Sequence, residues 1–162
     1  GLNGIFIVNE NKVWIVGEFG TVLTTDDGGA NWRLIASVSG NPLYDVLFID
    51  DGRTGFAVGA EGQVFETGDY GITWRNRSVE TNLHLFSVFR LNGKIYVSGQ
   101  DGIFAELDDI KEGLWKVSRT GVYTWLDSVY FVSPELGFAA GGRGSILKTT
   151  NGGQTWVRLS GR

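Results

Sequence analysis

Three stretches of this 162-residue chain set a hydroxyl, an acid or amide, a glycine and a tryptophan at one spacing. Thr25, Asp27, Gly29 and Trp32 form the first set, and Thr67, Asp69, Gly71 and Trp74 the second. Thr149, Asn151, Gly153 and Trp156 form the last. Carboxylates in loops suggest calcium binding or glycoside hydrolysis. Calcium takes about six to eight oxygens, and one carboxylate per turn falls short of that. Hydrolysis needs two carboxyl groups roughly 5 to 9 Å apart, and no pair stands out. The neighbours Asp26–Asp27, Asp50–Asp51 and Asp108–Asp109 read as turn chemistry on a wet surface. A short acid or amide closes an Asx-type loop on the backbone N–H groups of its own turn. Glycine supplies the positive φ of such a turn, and the tryptophan opens a strand and buries a large area. Asn151 fits this structural role, which a catalytic or metal-binding carboxylate would not allow. No metal and no cofactor is expected, and no catalytic residue.

The other candidates for chemistry are weaker. His84, the single histidine, has no cysteine and no predictable serine or carboxylate partner, so no triad is supported. Four G-x-x-G pairs occur, at Gly17/Gly20, Gly59/Gly62, Gly99/Gly102 and Gly141/Gly144. They precede no helix and carry no Lys-[Ser/Thr], so they read as tight turns rather than phosphate loops.

The elements that position these residues repeat. Trp32, Trp74, Trp115 and Trp156 are spaced 42, 41 and 41 residues apart. Each G-x-x-G follows an aromatic by three residues: Trp14, Phe56, Tyr96 and Phe138. Two independent markers keep one period through four copies. Leu2, Leu43, Leu85 and Leu126 align as the start of the first strand in each copy. Four short antiparallel strands per unit of about 40 residues is the make-up of a propeller blade. The fold class is therefore all-β, a β-propeller of four-stranded antiparallel blades, expected at roughly 1–41, 42–83, 84–124 and 125–162 within one domain. Runs apolar on both sides of the pleat, such as Val13 to Val16, suggest strands sandwiched between neighbouring sheets. Whether the four blades close on themselves or form part of a larger ring stays open.

The repeated turn, [Ser/Thr]-x-Asp-x-Gly-x-x-Trp, resembles the Asp-box, or bacterial neuraminidase repeat. "GGRGSILKTTNGGQTW" (Gly141 to Trp156) and "VGEFGTVLTTDDGGANW" (Val16 to Trp32) are similar to the version found in photosystem II stability/assembly factor-like proteins. The resemblance extends over nearly the whole chain. The third unit, "ELDDIKEGLW" (Glu106 to Trp115), keeps Trp115 but loses the register of the turn. The resemblance implies a propeller scaffold that binds another protein, with the boxes at the blade periphery in a structural role. A sialidase would need an arginine cluster and a tyrosine nucleophile on a longer chain.

Function is then sought in positions that do not repeat. Trp125 aligns with His84, Pro42 and Gly1 at the lead-in to the first strand. In propellers that lead-in and the turn between the second and third strands share the face around the channel mouth. The expected partner-binding face comprises Phe19, Tyr44, His84, Tyr123 and Trp125 among Glu18, Glu61, Asp101 and Arg143. Aromatics amid polar groups suit a protein or sugar partner. The alternative is that Trp125 and Tyr123 cap the core or pack on a neighbouring blade.

Composition bounds the rest. Net charge is −4 with basic residues scattered, which argues against a nucleic-acid groove. No apolar run approaches the roughly 20 residues of a membrane span. The absence of cysteine excludes disulfides and thiolate metal sites; it fits a cytosolic chain too, but an extracytoplasmic one (secreted, periplasmic or lumenal) is favoured. The leading function is a non-enzymatic scaffold for protein–protein interaction, an assembly or stability factor. The alternative is a carbohydrate-binding module or a fragment of a sialidase-like glycoside hydrolase. Homo-oligomerisation stays open.

Overall fold

The computed structural model describes residues 1–111 and 113–159. The last three positions expected in the fourth blade lie outside the described residues. Sixteen strands form four antiparallel sheets, each in simple up-and-down order among the described residues. The first sheet contains β1 (Leu2–Ile7), β2 (Val13–Gly17), β3 (Thr21–Thr25) and β4 (Arg33–Ser37). The second contains β5 (Leu43–Ile49), β6 (Thr54–Gly59), β7 (Val64–Thr67) and β8 (Arg75–Asn76). The third contains β9 (Leu85–Leu91), β10 (Lys94–Gly99), β11 (Ile103–Leu107) and β12 (Trp115–Arg119). The fourth contains β13 (Leu126–Phe131), β14 (Gly137–Gly141), β15 (Ser145–Thr149) and β16 (Val157–Arg158). Each first strand starts at the leucine that the repeat aligns.

The chain divides into two compact units, Gly1–Asn82 and Leu83–Arg162. In the first unit, one face of the first sheet packs on the second sheet. Trp14, Val16 and Val22 meet Val46, Phe48, Ala57 and Phe65, all buried. The rings of Trp14 and Phe48 stack at 4.5 Å and 17°, and Trp74 stands edge-on to Phe48 at 6.0 Å. Full burial of side chains this size contributes about 1.5–3 kcal/mol each. The second unit repeats the joint. Tyr96 stacks on Phe131 at 4.6 Å and 21°, and Trp156 stands edge-on to Phe104 at 5.3 Å.

The expectation of strands buried on both faces holds only in part. On β2, Trp14 and Val16 are buried while Val13 and Ile15 are half-buried. On β1, Ile5 and Ile7 are exposed. Alternation fixes which side chains share a face, but burial requires a sheet packed against that face, and periodicity along one strand does not supply it.

Candidate functional site

The three intact Thr-x-Asp/Asn-x-Gly turns are built alike. Thr25 Oγ1 donates to Asp27 Oδ1 at 2.7 Å and accepts from the Gly29 N–H at 3.0 Å. Asp27 in turn accepts from the Asn31 N–H at 2.8 Å and from Asn31 Nδ2 at 2.7 Å. Thr67, Asp69, Gly71 and Thr73 repeat this set. Hydrogen bonds from the Asn31 side chain, the Asn31 backbone and Thr25 hold the Asp27 carboxyl down to about 2, below its usual 3.8. Hydrogen bonds from Thr73 chiefly lower the Asp69 carboxyl below its usual value as well. Asn151 keeps the turn by reversing one bond. Thr73 Oγ1 donates to Asp69 Oδ2 at 2.6 Å, whereas Asn151 Nδ2 donates to Thr155 Oγ1 at 2.8 Å. The other acceptor role is unchanged, since Asn151 Oδ1 takes the Thr155 N–H at 2.9 Å. The turn needs an oxygen in that place and no charge. These acids spend their lone pairs on their own loop, and among the described residues no group of three or more His, Asp or Glu could hold a metal ion.

The tryptophans diverge. Trp74 and Trp156 are half-buried and close on their own turns, donating Nε1–H to the carbonyls of Gly71 at 3.2 Å and Gly153 at 3.1 Å. Trp32 does not match the expectation of a buried ring: it is 43% exposed. Trp74 meets Phe48 of its own sheet, within a cluster that Trp14 of the preceding sheet shares, and Trp156 meets Phe104 of the preceding sheet. Trp115 is half-buried and opens β12; its turn is replaced by a loop in which Asp109 Oδ1 accepts from the Lys111 N–H.

The G-x-x-G pairs are the tight turns between second and third strands. Each holds one non-glycine residue in the left-handed region, Phe19 (φ 55), Glu61 (φ 56), Asp101 (φ 53) or Arg143 (φ 57), followed by a glycine that is left-handed too. The turn also grips the first-strand lead-in of its own sheet. The N–H groups of Glu18, Ala60, Gln100 and Gly142 donate to the carbonyls of Gly1, Pro42, His84 and Trp125 at 2.8–3.0 Å. In every sheet the two features chosen from sequence therefore lie side by side.

In the first unit, Glu18 is exposed. Phe19 is 71% exposed, Tyr44 is half-buried, and Glu61 is exposed and accepts from Asn41 Nδ2 at 3.3 Å. In the second unit, His84 is half-buried with its ring 6.3 Å from that of Phe86. Asp101 is exposed, and its carbonyl accepts from Arg119 at 3.1 Å. Tyr123 is 89% exposed and Trp125 50%. Arg143 and Tyr123 line one cleft of 430 Å³, with Thr120, Thr124, Leu147, Trp156 and Arg158. Its buried lining is Leu147 with the hydroxyl residues Thr120, Thr124 and Ser145, and the exposed Arg143 and Arg158 add two guanidinium groups. Thr124 is buried, and its Oγ1 has no hydrogen-bond partner among the described residues. Trp125 lies beside the cleft against Gly142, where an added Cβ would stand 2.8 Å from the indole nitrogen. Arg158 and Thr124 were not among the sequence candidates. Arg158 had a signal, because its repeat position holds Leu34, Asn76 and Val117 in the other sheets.

A family model described as photosynthesis system II assembly factor YCF48 matches residues 31–113, just over half of the chain. The chain belongs to that family. A photosystem II assembly lipoprotein Ycf48 of Picosynechococcus sp. is 26% identical over 95% of this chain and 47% of its own. One from Synechococcus sp. is 31% identical over 77% of this chain and 39% of its own. The chain thus spans about half or less of the length of these relatives. Among solved structures, YCF48 bound to D1 peptide aligns with 97% of this chain and 66% of its own, at TM-score 0.58 and 17% identity. YCF48 from Cyanidioschyzon merolae aligns with 92% of this chain and 56% of its own, at TM-score 0.68 and 16% identity. An ancestral GH74 enzyme aligns with 99% of this chain and 24% of its own, at TM-score 0.79 and 14% identity. Such likenesses establish the β-propeller fold, and the presence of an enzyme among them carries no chemistry to this chain.

Proposed function

We propose that this chain is a non-enzymatic scaffold that binds an extended segment of another protein during the assembly or stabilisation of a complex. The observation that carries the reading is the cleft of the second unit, on a chain of the assembly-factor family. Aromatic and aliphatic side chains beside convergent hydroxyl and guanidinium groups suit a recognition pocket. Arg143 and Arg158 offer forked donors to a carboxylate on the segment, and Tyr123 and Trp125 offer large faces at small entropic cost. The rest of the candidate face, Glu18, Phe19, Tyr44, Glu61, His84 and Asp101, supplies the differing chemistry of the other turns and lead-ins. A solved relative holds a D1 peptide, so a labelled D1 peptide is the first probe. Its anisotropy titration should saturate with the native chain. Arg143→Glu and Trp125→Ala should each weaken it about tenfold or more, the cost of one lost anchor, with far-ultraviolet circular dichroism unchanged. Unaltered affinity in both variants would refute this site, and hits on a glycan array without peptide binding would replace the protein partner by a sugar. Relatives are named lipoproteins, which supports an extracytoplasmic setting for this chain; cell fractionation tests it. Among the described residues no helix is long and apolar enough to cross a membrane.

A further inference from the structure

Three asparagines of this chain, Asn3, Asn92 and Asn151, are followed by glycine. An asparagine in that position reacts with its own backbone. The glycine nitrogen gives its proton to solvent base and attacks the asparagine Cγ; the Cγ–Nδ2 bond breaks and ammonia leaves. Water then opens the cyclic imide at either carbonyl, which yields aspartate or isoaspartate. No oxidant, reductant or cofactor takes part. The step does need an unengaged glycine N–H, an unengaged side-chain amide and room for the ring to close.

The structure separates the three sites. Asn151 is held at both ends of its amide. Its Oδ1 accepts from Thr149 Oγ1 at 3.0 Å and from the Thr155 N–H at 2.9 Å, and its Nδ2 donates to Thr155 Oγ1 at 2.8 Å. The attacking group is held as well, because the Gly152 N–H donates to the Glu135 carbonyl at 2.9 Å. A Cβ at Gly152 would stand 3.0 Å from the Pro134 carbonyl oxygen, so the site is also crowded. Asn3 lies within β1, and its Nδ2 donates to the Leu43 carbonyl at 2.8 Å. Its glycine has no room either, since a Cβ at Gly4 would stand 2.8 Å from Cα of Asp45.

Asn92 differs on each count. Asn92 and Gly93 form the two-residue loop between β9 and β10, closed by the pair Leu91 and Lys94. Both have positive φ, 49 and 82, as in the hairpin turn for which Asn-Gly is a preferred pair. Both are exposed. Among the described residues, neither the Asn92 amide nor the Gly93 N–H makes a hydrogen bond. A Cβ built on Gly93 meets nothing within 4 Å. The pair that suits the turn is therefore also the pair left open to react.

We propose that Asn92 is a spontaneous deamidation site, singled out from Asn3 and Asn151 by the fold. The product places a new carboxylate in a cleft of 460 Å³ that Asn92 lines with Lys94, Tyr96, Glu106 and Glu135. Isoaspartate also lengthens the two-residue loop by one backbone methylene, and loop length is what fixes the register of a hairpin.

The test ages the native chain in mildly alkaline buffer beside a sample kept unfolded in urea, with peptide mapping by mass spectrometry over time. In the folded chain the Asn92 peptide should gain the mass of amide-to-acid conversion about tenfold or more faster than the Asn3 and Asn151 peptides, whose hydrogen bonds must break first. In urea the three should react at similar rates, because the same residue follows each. A folded chain in which Asn92 does not outpace the other two overturns the proposal. A preference for Asn92 that persists undiminished in urea overturns the part assigned to the fold.

Discussion

Gly71→Ala and Gly29→Ala should differ in cost although the two glycines occupy one place in the repeat. Both have positive φ, +77 at Gly71 and +94 at Gly29, so alanine meets similar backbone strain at either of about 1–2 kcal/mol. Only at Gly71 does the methyl also meet the Trp14 ring, which is fully buried and stacked on Phe48. Overpacking of that kind costs about 1–3 kcal/mol more. Both positions lie in the same unit, Gly1–Asn82, so one unfolding transition reads both. For a unit of that size each kcal/mol lowers Tm by about 4–8 °C. The pair should be compared by calorimetry and urea titration. Equal destabilisation by the two substitutions would refute the reasoning, because it would leave the strain common to both and no packing difference. Gly153→Ala, against Phe104, should resemble Gly71→Ala in the second unit.

Three further outcomes follow from the turns and the cleft. Asp27 titrates near 2 when folded against 3.8 unperturbed, so its contribution is fully present above about pH 4 and is lost as pH falls toward 2; Asp69 acts in the same direction. Asp27→Asn with Asp69→Asn should therefore flatten the acid limb of Tm against pH, as Asn151 already does for its own turn. Thr67→Val should cost about 1–3 kcal/mol, because its buried hydroxyl serves Asp69 and two backbone N–H groups that would go unanswered; chemical denaturation checks it. Raising salt should weaken D1 peptide binding in the native chain and much less in Arg143→Ala, if the guanidinium pairs with a carboxylate there.

The sheets were legible because their markers are local and periodic. Four tryptophans and four G-x-x-G pairs fix strand number, strand order and the alignment of Trp125 with His84, Pro42 and Gly1, and the backbone bonds at each lead-in agree. The fate of Trp32 was not legible. Its turn reads like that of Trp74, and what differs is the packing around the ring, where Phe48 and the cluster completed by Trp14 meet Trp74, which is a non-local fact. The cleft was half legible. Tyr123 and Arg143 stood out as non-repeating residues, whereas Thr124 and Arg158 join them only because the connection between β12 and β13 and the last strands of the fourth sheet line one cleft. Asn151 foretold the structural role of its turn, and the reversed bond to Thr155 shows how one amide substitutes for an acid.

The left-handed turns between second and third strands bear on how such a chain changes over time. Phe19, Glu61, Asp101 and Arg143 share one backbone shape while differing in size and sign of charge. That shape is set by the glycines around them and by the lead-in carbonyl, not by the side chain displayed. A substitution at these four places leaves the supporting hydrogen bonds as they were, so it rewrites what is shown to solvent at nearly constant folding cost. Recognition and foldability are thereby inherited on separate residues. Selection for a new partner can begin at four single positions with the scaffold left untouched.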